Sequence, residues 1–176
     1  LSEMARRAPG QNALSTARKE ADTPEVVSGV FEGKTTGAPL CAIIQNTDTR
    51  SRDYEELRRK PRPSHADYAA FVASGGFRDY RGGGHFSGRL TAPLVFAGAV
   101  AKQVLKPQGI TVSARISMLG GVKDPSESQI EDIVLSAKQA GDSVGGTIAC
   151  AVEGMPAGLG APDFGCNVEG IFSQYL

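Results

Sequence analysis

The sequence predicts an α+β fold, a sandwich of sheets and helices, on three observations. Strand pairs alternate with helices along the chain. Helical stretches at 92–105 and 126–140 flank an apolar strand at 109–118, as in a helix-on-sheet layer. Ser126 and Gln129 form a capping box ahead of an apolar stripe, Ile130, Ile133, Val134 and Ala137. The chain has 176 residues, enough for one domain with a core. Its 40% hydrophobic and 22% charged residues exclude a disordered polymer. Nineteen Lys and Arg balance nineteen Asp and Glu, which argues against a general nucleic-acid binder and leaves room for a local basic pocket.

The elements follow in order. Leu1 to Arg7 reads as the end of a helix already under way, stopped by Pro9-Gly10. Glu25–Phe31 is a strand, 33–37 a turn, and Pro39–Gln45 a second strand, apolar enough throughout to be buried, so the pair reads as a hairpin. Ser51–Lys60 is a charged surface helix broken by Pro61-Arg62-Pro63. Ser64 caps a helix reaching about Ala73. Ser74–Gly88 is loop, and Thr91 caps a helix over Ala92–Leu105 with Pro93 in its first turn and Phe96, Ala99, Val100 and Gln103 on one face. Gly109–Met118 is a strand, Ser126–Ala140 a helix ended by Gly141, and Ser143–Val152 a strand. Gly154–Gly165 is a long loop, and a further helix begins near Val168. Both ends read as if excised from a longer polypeptide.

Three cysteines, Cys41, Cys150 and Cys166, lack metal-pair spacing. Cys41 and Cys150 lie in apolar runs and are expected to be buried free thiols, in keeping with a reducing cytosol. No metal site is expected. No apolar run approaches a membrane span, and no signal peptide is visible.

Two histidines are candidates for proton transfer, although a lone histidine is more often structural. His65 lies in Arg62-Pro63-Ser64-His65-Ala66-Asp67-Tyr68, near a helix start where the dipole favours the neutral imidazole. His85 lies in Asp79-Tyr80-Arg81-Gly82-Gly83-Gly84-His85-Phe86-Ser87-Gly88-Arg89. The glycine amides there, with Arg81 and Arg89, can cradle a phosphate, or the run is a plain turn. Arg18 and Lys19, with Arg6 and Arg7 upstream, form a third basic cluster, or a solvated face. Asn46-Thr47-Asp48 puts polar groups at a strand end, at a site or in an Asx-turn. The loop lacks a Walker Gly-Lys-Ser/Thr ending and does not follow a clear strand, so neither nucleotide fingerprint is met.

Together these pieces resemble the chorismate synthases. The resemblance rests on Ser28–Pro39, Asn46-Thr47-Asp48, Ser51-Arg52-Asp53-Tyr54, Arg62–Tyr68 and Asp79–Gly84. It continues in Ser87-Gly88-Arg89 with Thr91 and Ala92, and in Gly141–Gly146, in order along nearly the whole chain. It implies a sandwich of antiparallel sheets and helices, of which residues 1–176 are the central portion of a single domain truncated at both ends. It also implies an anti-1,4-elimination of phosphate from 5-enolpyruvylshikimate 3-phosphate, giving chorismate, in aromatic amino-acid biosynthesis. That reaction depends on reduced FMN, with NADPH as a possible source of reducing equivalents, in a cytoplasmic homotetramer without nucleic-acid or membrane partners.

By the same resemblance, His65 matches the histidine that protonates the reduced flavin. His85, Phe86 and Ser87 match a flavin-contacting stretch. Many members carry Arg-Ser-Ser there, so His85 is expected to touch cofactor rather than to catalyse. Arg18 and Lys19 match a basic segment facing substrate and cofactor, with Ala13 near the place of a missing arginine. Arg81 and Arg89 are the expected substrate and phosphate ligands. The family's Gly-Glu-Ser-His-Gly motif with a second histidine would precede Leu1, and a catalytic aspartate would follow Leu176. The competing expectation is a catalytically incomplete piece that serves only as a flavin- or anion-binding or assembly module.

Overall fold

A computed structural model describes residues 1–12, 14–15, 20–47, 54–163 and 165–175. The residues cluster into two compact units, Leu1–Ala99 and Val100–Leu176, and every sheet in them is antiparallel.

The first unit opens on helix α1 (Ser2–Arg7), whose Met4 is buried. Strand β1 (Pro24–Ser28) pairs with β4 (Cys41–Ile44) from Pro24↔Ile44 to Ser28↔Cys41, with a bulge between Val26 and Ser28. The expected hairpin has a smaller one inserted in it: β2 (Val30–Phe31) and β3 (Lys34–Thr35) pair across Glu32-Gly33. Both turn residues have positive φ, 48° and 76°, the signature of a type I′ turn that matches strand twist. Helix α2 spans Asp67–Ala73 and helix α3 spans Thr91–Leu105.

Several expectations change here. Ser64 sits at φ 57° and the N-cap position of α2 is Ala66, so Ser64 caps nothing. The part of 51–60 that is described holds one 3-10 turn, Glu56–Arg58; residues 51–53 lie outside the described set. The glycine-rich stretch expected as loop is coiled into 3-10 turns at Arg81–Phe86 and Gly88–Leu90. Ser87 accepts from the Arg89 amide and caps the second of them. Thr91 is therefore already helical, and its hydroxyl donates back to the Gly88 carbonyl instead of capping. The covered stripe of α3 includes Ala92, Phe96, Ala99 and Val100, but Gln103 is exposed.

In the second unit the three-stranded sheet has the order β6-β5-β7. Strand β5 (Thr111–Leu119) pairs with β7 (Gly146–Glu153) from Thr111↔Glu153 to Leu119↔Gly146, with one bulge between Ile116 and Met118. Strand β6 (Val122–Lys123) folds back on the end of β5. At Gly154, φ is 78° and a Cβ would stand 2.2 Å from the Gly109 carbonyl oxygen, so only glycine lets the chain pass. Helix α4 (Glu127–Gln139) has the expected capping box. It ends in a Schellman motif: the Gly141 amide donates to the Lys138 carbonyl and the Asp142 amide to the Ala137 carbonyl. Ile133 of its apolar stripe packs within 3.1 Å of where a Cβ on Gly120 would lie, which sets the helix against the β5–β6 turn. The loop after β7 and helix α5 (Val168–Tyr175) fall where expected.

Cys41 and Cys150 are free thiols, as expected, but exposed rather than buried; Cys166 is also free and exposed. Cys41 lies on the uncovered face of β4, where burial alternates residue by residue, and Cys150 lies on β7, an edge strand. A continuous apolar run does not distinguish a strand covered on both faces from one covered on one. For the same reason β4 is half-buried through Ala42 and Ile44 only, with Ile43 45% exposed.

Candidate active site and anion pocket

The site lies within Leu1–Ala99 and is assembled around Asp67, the first residue of α2, which is 2% exposed. Its carboxylate takes Arg62 Nε at 2.8 Å and the Arg62 backbone amide at 3.1 Å on one oxygen. The other oxygen takes Arg62 Nη2 at 3.1 Å, Arg78 Nη1 at 3.3 Å and His65 Nδ1 at 2.8 Å. Arg78 is itself tied to the Leu57 carbonyl at 2.7 Å. Hydrogen bonds from Arg62 hold the Asp67 carboxyl far below the usual carboxylate range, against the opposing effect of burial. Asp67 reciprocally raises the Arg62 guanidinium.

His65 precedes α2 in the turn set by Pro63 and the left-handed Ser64. Its side chain is 25% exposed, and its Nε2 lies 3.5 Å from the place a Cβ would take on Gly83. Gly83 is buried, at φ 80°, inside the 3-10 turn Arg81–Phe86. A Cβ there would make an ordinary van der Waals contact with the imidazole, so it is the left-handed φ rather than lack of space that favours glycine.

The same turn leads into a cavity of about 400 Å³. Arg81, Ser87 and Arg89 line it, with Arg7, Glu20 and Asp22 from the N-terminal segment and Ala42, Ile44 and Asn46 from β4 and its end. The cations in its wall differ in what they already hold. Arg7 is bound to Asp22 and to Thr91 Oγ, at 3.0 Å from the latter. Arg81 is exposed and gripped two-handed by Asp79, with Nε–Oδ1 at 2.9 Å and Nη2–Oδ2 at 3.0 Å. Those bonds lower the Asp79 carboxyl to about 2 and raise the Arg81 guanidinium. Half-buried Arg89 makes no side-chain hydrogen bond or ion pair among the described residues, and it also lines a neighbouring cavity of about 590 Å³ with Arg6 and Arg7. An unpaired, half-buried guanidinium in a cavity wall is chemically suited to hold an anion.

The expected site residues are thus divided. Arg81, Ser87 and Arg89 share the 400 Å³ cavity. His85 and Phe86 line another, of about 370 Å³, with Asp67, Arg78 and Gly83; both are exposed, their rings edge-on at 6.0 Å. His65 stands against Gly83 between these stretches of sequence. Arg18, Lys19 and Asp48 lie outside the described residues. Sequence reasoning missed Arg78, which is eleven residues from its partner, and the Arg7–Asp22 pair that closes one wall. The placing of Asp67 beside His65 and Arg62 was visible in the sequence, but an acid in a first helical turn is ordinarily accounted for by the helix dipole.

Similarity to known proteins bears on the family and the fold. The chorismate synthase family model matches residues 1–176. A chorismate synthase of Chitinophaga pinensis is 51% identical over 164 residues, covering 93% of this chain and 47% of that protein. One of Thermococcus kodakarensis is 44% identical over 174 residues, covering 89% of this chain and 49% of that protein. The chain spans about half the length of these relatives. A solved structure described as a crystal structure of chorismate synthase aligns with TM-score 0.67 at 23% identity over 88% of this chain and 51% of that one, which establishes the fold. A match over every residue, two relatives above 40% identity and a shared α+β fold leave one reading: the chain belongs to the chorismate synthase family.

Proposed function

We propose that the full-length protein carrying this chain is a carbon–oxygen lyase that converts 5-enolpyruvylshikimate 3-phosphate into chorismate and phosphate. A proton leaves C6, phosphate leaves C3, and the electrons of the broken C–H bond remain in the new diene. The observation that carries the proposal is Arg89, a half-buried guanidinium without a protein partner among the described residues, in a cavity whose wall also holds Arg81 and Ser87. A substrate with one phosphate and two carboxylates needs cations whose charge is not already spent, and fixed cations favour a departing phosphate as its charge grows.

The donor set also fits reduced flavin mononucleotide, which brings a phosphate. Arg89 and the Ser87 hydroxyl are the groups that would hold an anion of this kind, with His85 and Phe86 as the apolar and aromatic contact and Arg18 and Lys19 as further cations. The bound reduced flavin supplies transient electron density that protein side chains cannot. His65 holds and returns a proton at the ring nitrogen that faces Gly83. The reading extends to a cytoplasmic homotetramer drawing on NADPH, with residues 1–176 forming part of one larger domain.

In the full-length protein, His65→Ala is expected to lower kcat by about 10²–10⁴-fold with the fold retained. Steady-state rates near those of the parent would defeat the assignment. Arg89→Ala is expected to weaken binding of inorganic phosphate, substrate or FMN by roughly 10–100-fold in titration calorimetry, the value of a charged hydrogen bond. Unchanged affinities for all three would remove Arg89 from the site.

A further inference from the structure

We propose that Asp67 is a positioning residue that fixes His65 as the Nδ1–H tautomer and so makes Nε2 the atom that carries the transferred proton. The assignment of a role in turnover rests on the lyase reading above; the tautomer does not.

An ionised carboxylate only accepts, and Asp67 Oδ1 lies 2.8 Å from His65 Nδ1 in an ion-pair contact, so its negative charge favours the hydrogen on Nδ1 over a bare lone pair there. Asp67 stays ionised although it is buried, because two guanidiniums and a backbone amide donate to it. Arg62 also reaches the ring, at both nitrogens. Its Nη2 lies 3.3 Å from Nδ1 and 3.2 Å from Nε2, almost equidistant from two nitrogens whose in-plane lone pairs diverge. A donor so placed lies against the ring rather than in line with either lone pair, and cannot choose between tautomers. The choice falls to Asp67.

With Nδ1 committed, Nε2 is the ring nitrogen left to exchange a proton. It lies 3.5 Å from the place a Cβ would take on Gly83. When Nε2 gives up its proton, the imidazolium returns to the neutral Nδ1–H form, whose remaining hydrogen stays on the carboxylate. The ring therefore neither rotates nor changes tautomer between turns. The arrangement follows the logic by which a buried aspartate orients a catalytic histidine in hydrolases. Here the aspartate is held in turn by Arg62 and Arg78.

The test reads the tautomer directly. Two-bond 15N–1H spectra of 15N-histidine-labelled full-length protein, with His65 assigned by its loss in His65→Ala, are expected to show a protonated Nδ1 and a bare Nε2 in the neutral ring. Asp67→Asn is expected to reverse or mix that pattern, because an amide NH2 donates to Nδ1, and to lower kcat by on the order of 10²-fold or more with KM held within a few-fold. An Nε2–H tautomer in the unmodified protein overturns the inference without any variant, so a misfolded Asp67→Asn does not shield it. An unaltered Nδ1–H pattern in a folded Asp67→Asn overturns it as well, as does unaltered kcat. If the parent protein forms no chorismate while its spectra are as expected, the lyase reading fails and the tautomer assignment stands.

Discussion

Val100–Leu176 is held by long backbone pairing: β5 and β7 pair from Thr111↔Glu153 to Leu119↔Gly146 across a single bulge, and α4 begins and ends in complete capping motifs. Leu1–Ala99 has two short strand pairs and is organised instead around side-chain charge, with Asp67 receiving Arg62, His65 and Arg78. All the described candidate site residues fall in this unit. Regular secondary structure satisfies its own polar groups and leaves few to offer a ligand. Irregular backbone must be pinned by side chains, and the pins can double as chemistry. The contrast predicts that point substitutions act on the two units through different mechanisms.

The sharpest way to break the comparison is Asp67→Ala. Removing the acid leaves two arginines and a histidine facing one another, with Arg78 buried and Arg62 and His65 partly exposed. Breaking a buried ion pair from one side costs about 3–5 kcal/mol, and that loss is expected in denaturant unfolding of the protein. A change below about 1 kcal/mol would mean that charge does not organise the first unit. Next is Gly154→Ala in the second unit, where a Cβ would collide with the Gly109 carbonyl oxygen at 2.2 Å. Overpacking and left-handed strain together are expected to cost about 2–4 kcal/mol. This loss is steric and is expected to be independent of pH, unlike any loss in the first unit.

How much of this was legible follows the same line. The helix at Glu127–Gln139, the strands β5 and β7 and the tail helix were readable because capping and periodicity are local signals. The order of elements and the α+β class came with them. Gly82-Gly83-Gly84 read as loop because three glycines carry no periodicity, yet the stretch coils into a 3-10 turn that meets His65. Cys41 and Ile43 read as buried because an apolar run does not reveal how many of its faces are covered. His65, Arg81 and Arg89 were singled out as candidates from the sequence, but nothing there says that Arg89 is left unpaired while Asp79 occupies Arg81. Arg78 was missed because its partner is eleven residues away across a helix.

Ser126→Ala sharpens the comparison at a smaller scale. It removes one half of the capping box, in which the Ser126 hydroxyl accepts from the Gln129 amide at 3.3 Å and the Gln129 side chain accepts from the Ser126 amide at 2.9 Å. The expected loss is about 1 kcal/mol, again without a pH signature, read from the midpoint of denaturant unfolding.

The smallest expected effect is the acid response of the first unit, and it separates surface charge from buried charge. Asp79 has its carboxyl lowered to about 2 by Arg81. A carboxyl lowered on folding stabilises the native state above its unfolded value, near 3.9, and that contribution disappears as pH falls through the folded value. For Asp79 the window is therefore about pH 4 down to about 2. For Asp67 the loss extends to lower pH, because its carboxyl is held lower still. Both members of the Asp79–Arg81 pair are more than half exposed, so solvent screening keeps its contribution to stability small. Asp79→Asn is expected to flatten only the upper part of the acid limb in a stability-against-pH series and to leave stability at pH 7 almost unchanged. The lower part of the limb belongs to Asp67 and should survive in that variant. If Asp79→Asn abolished the whole limb, the exposed pair rather than the buried one would be fastening the unit that holds His65.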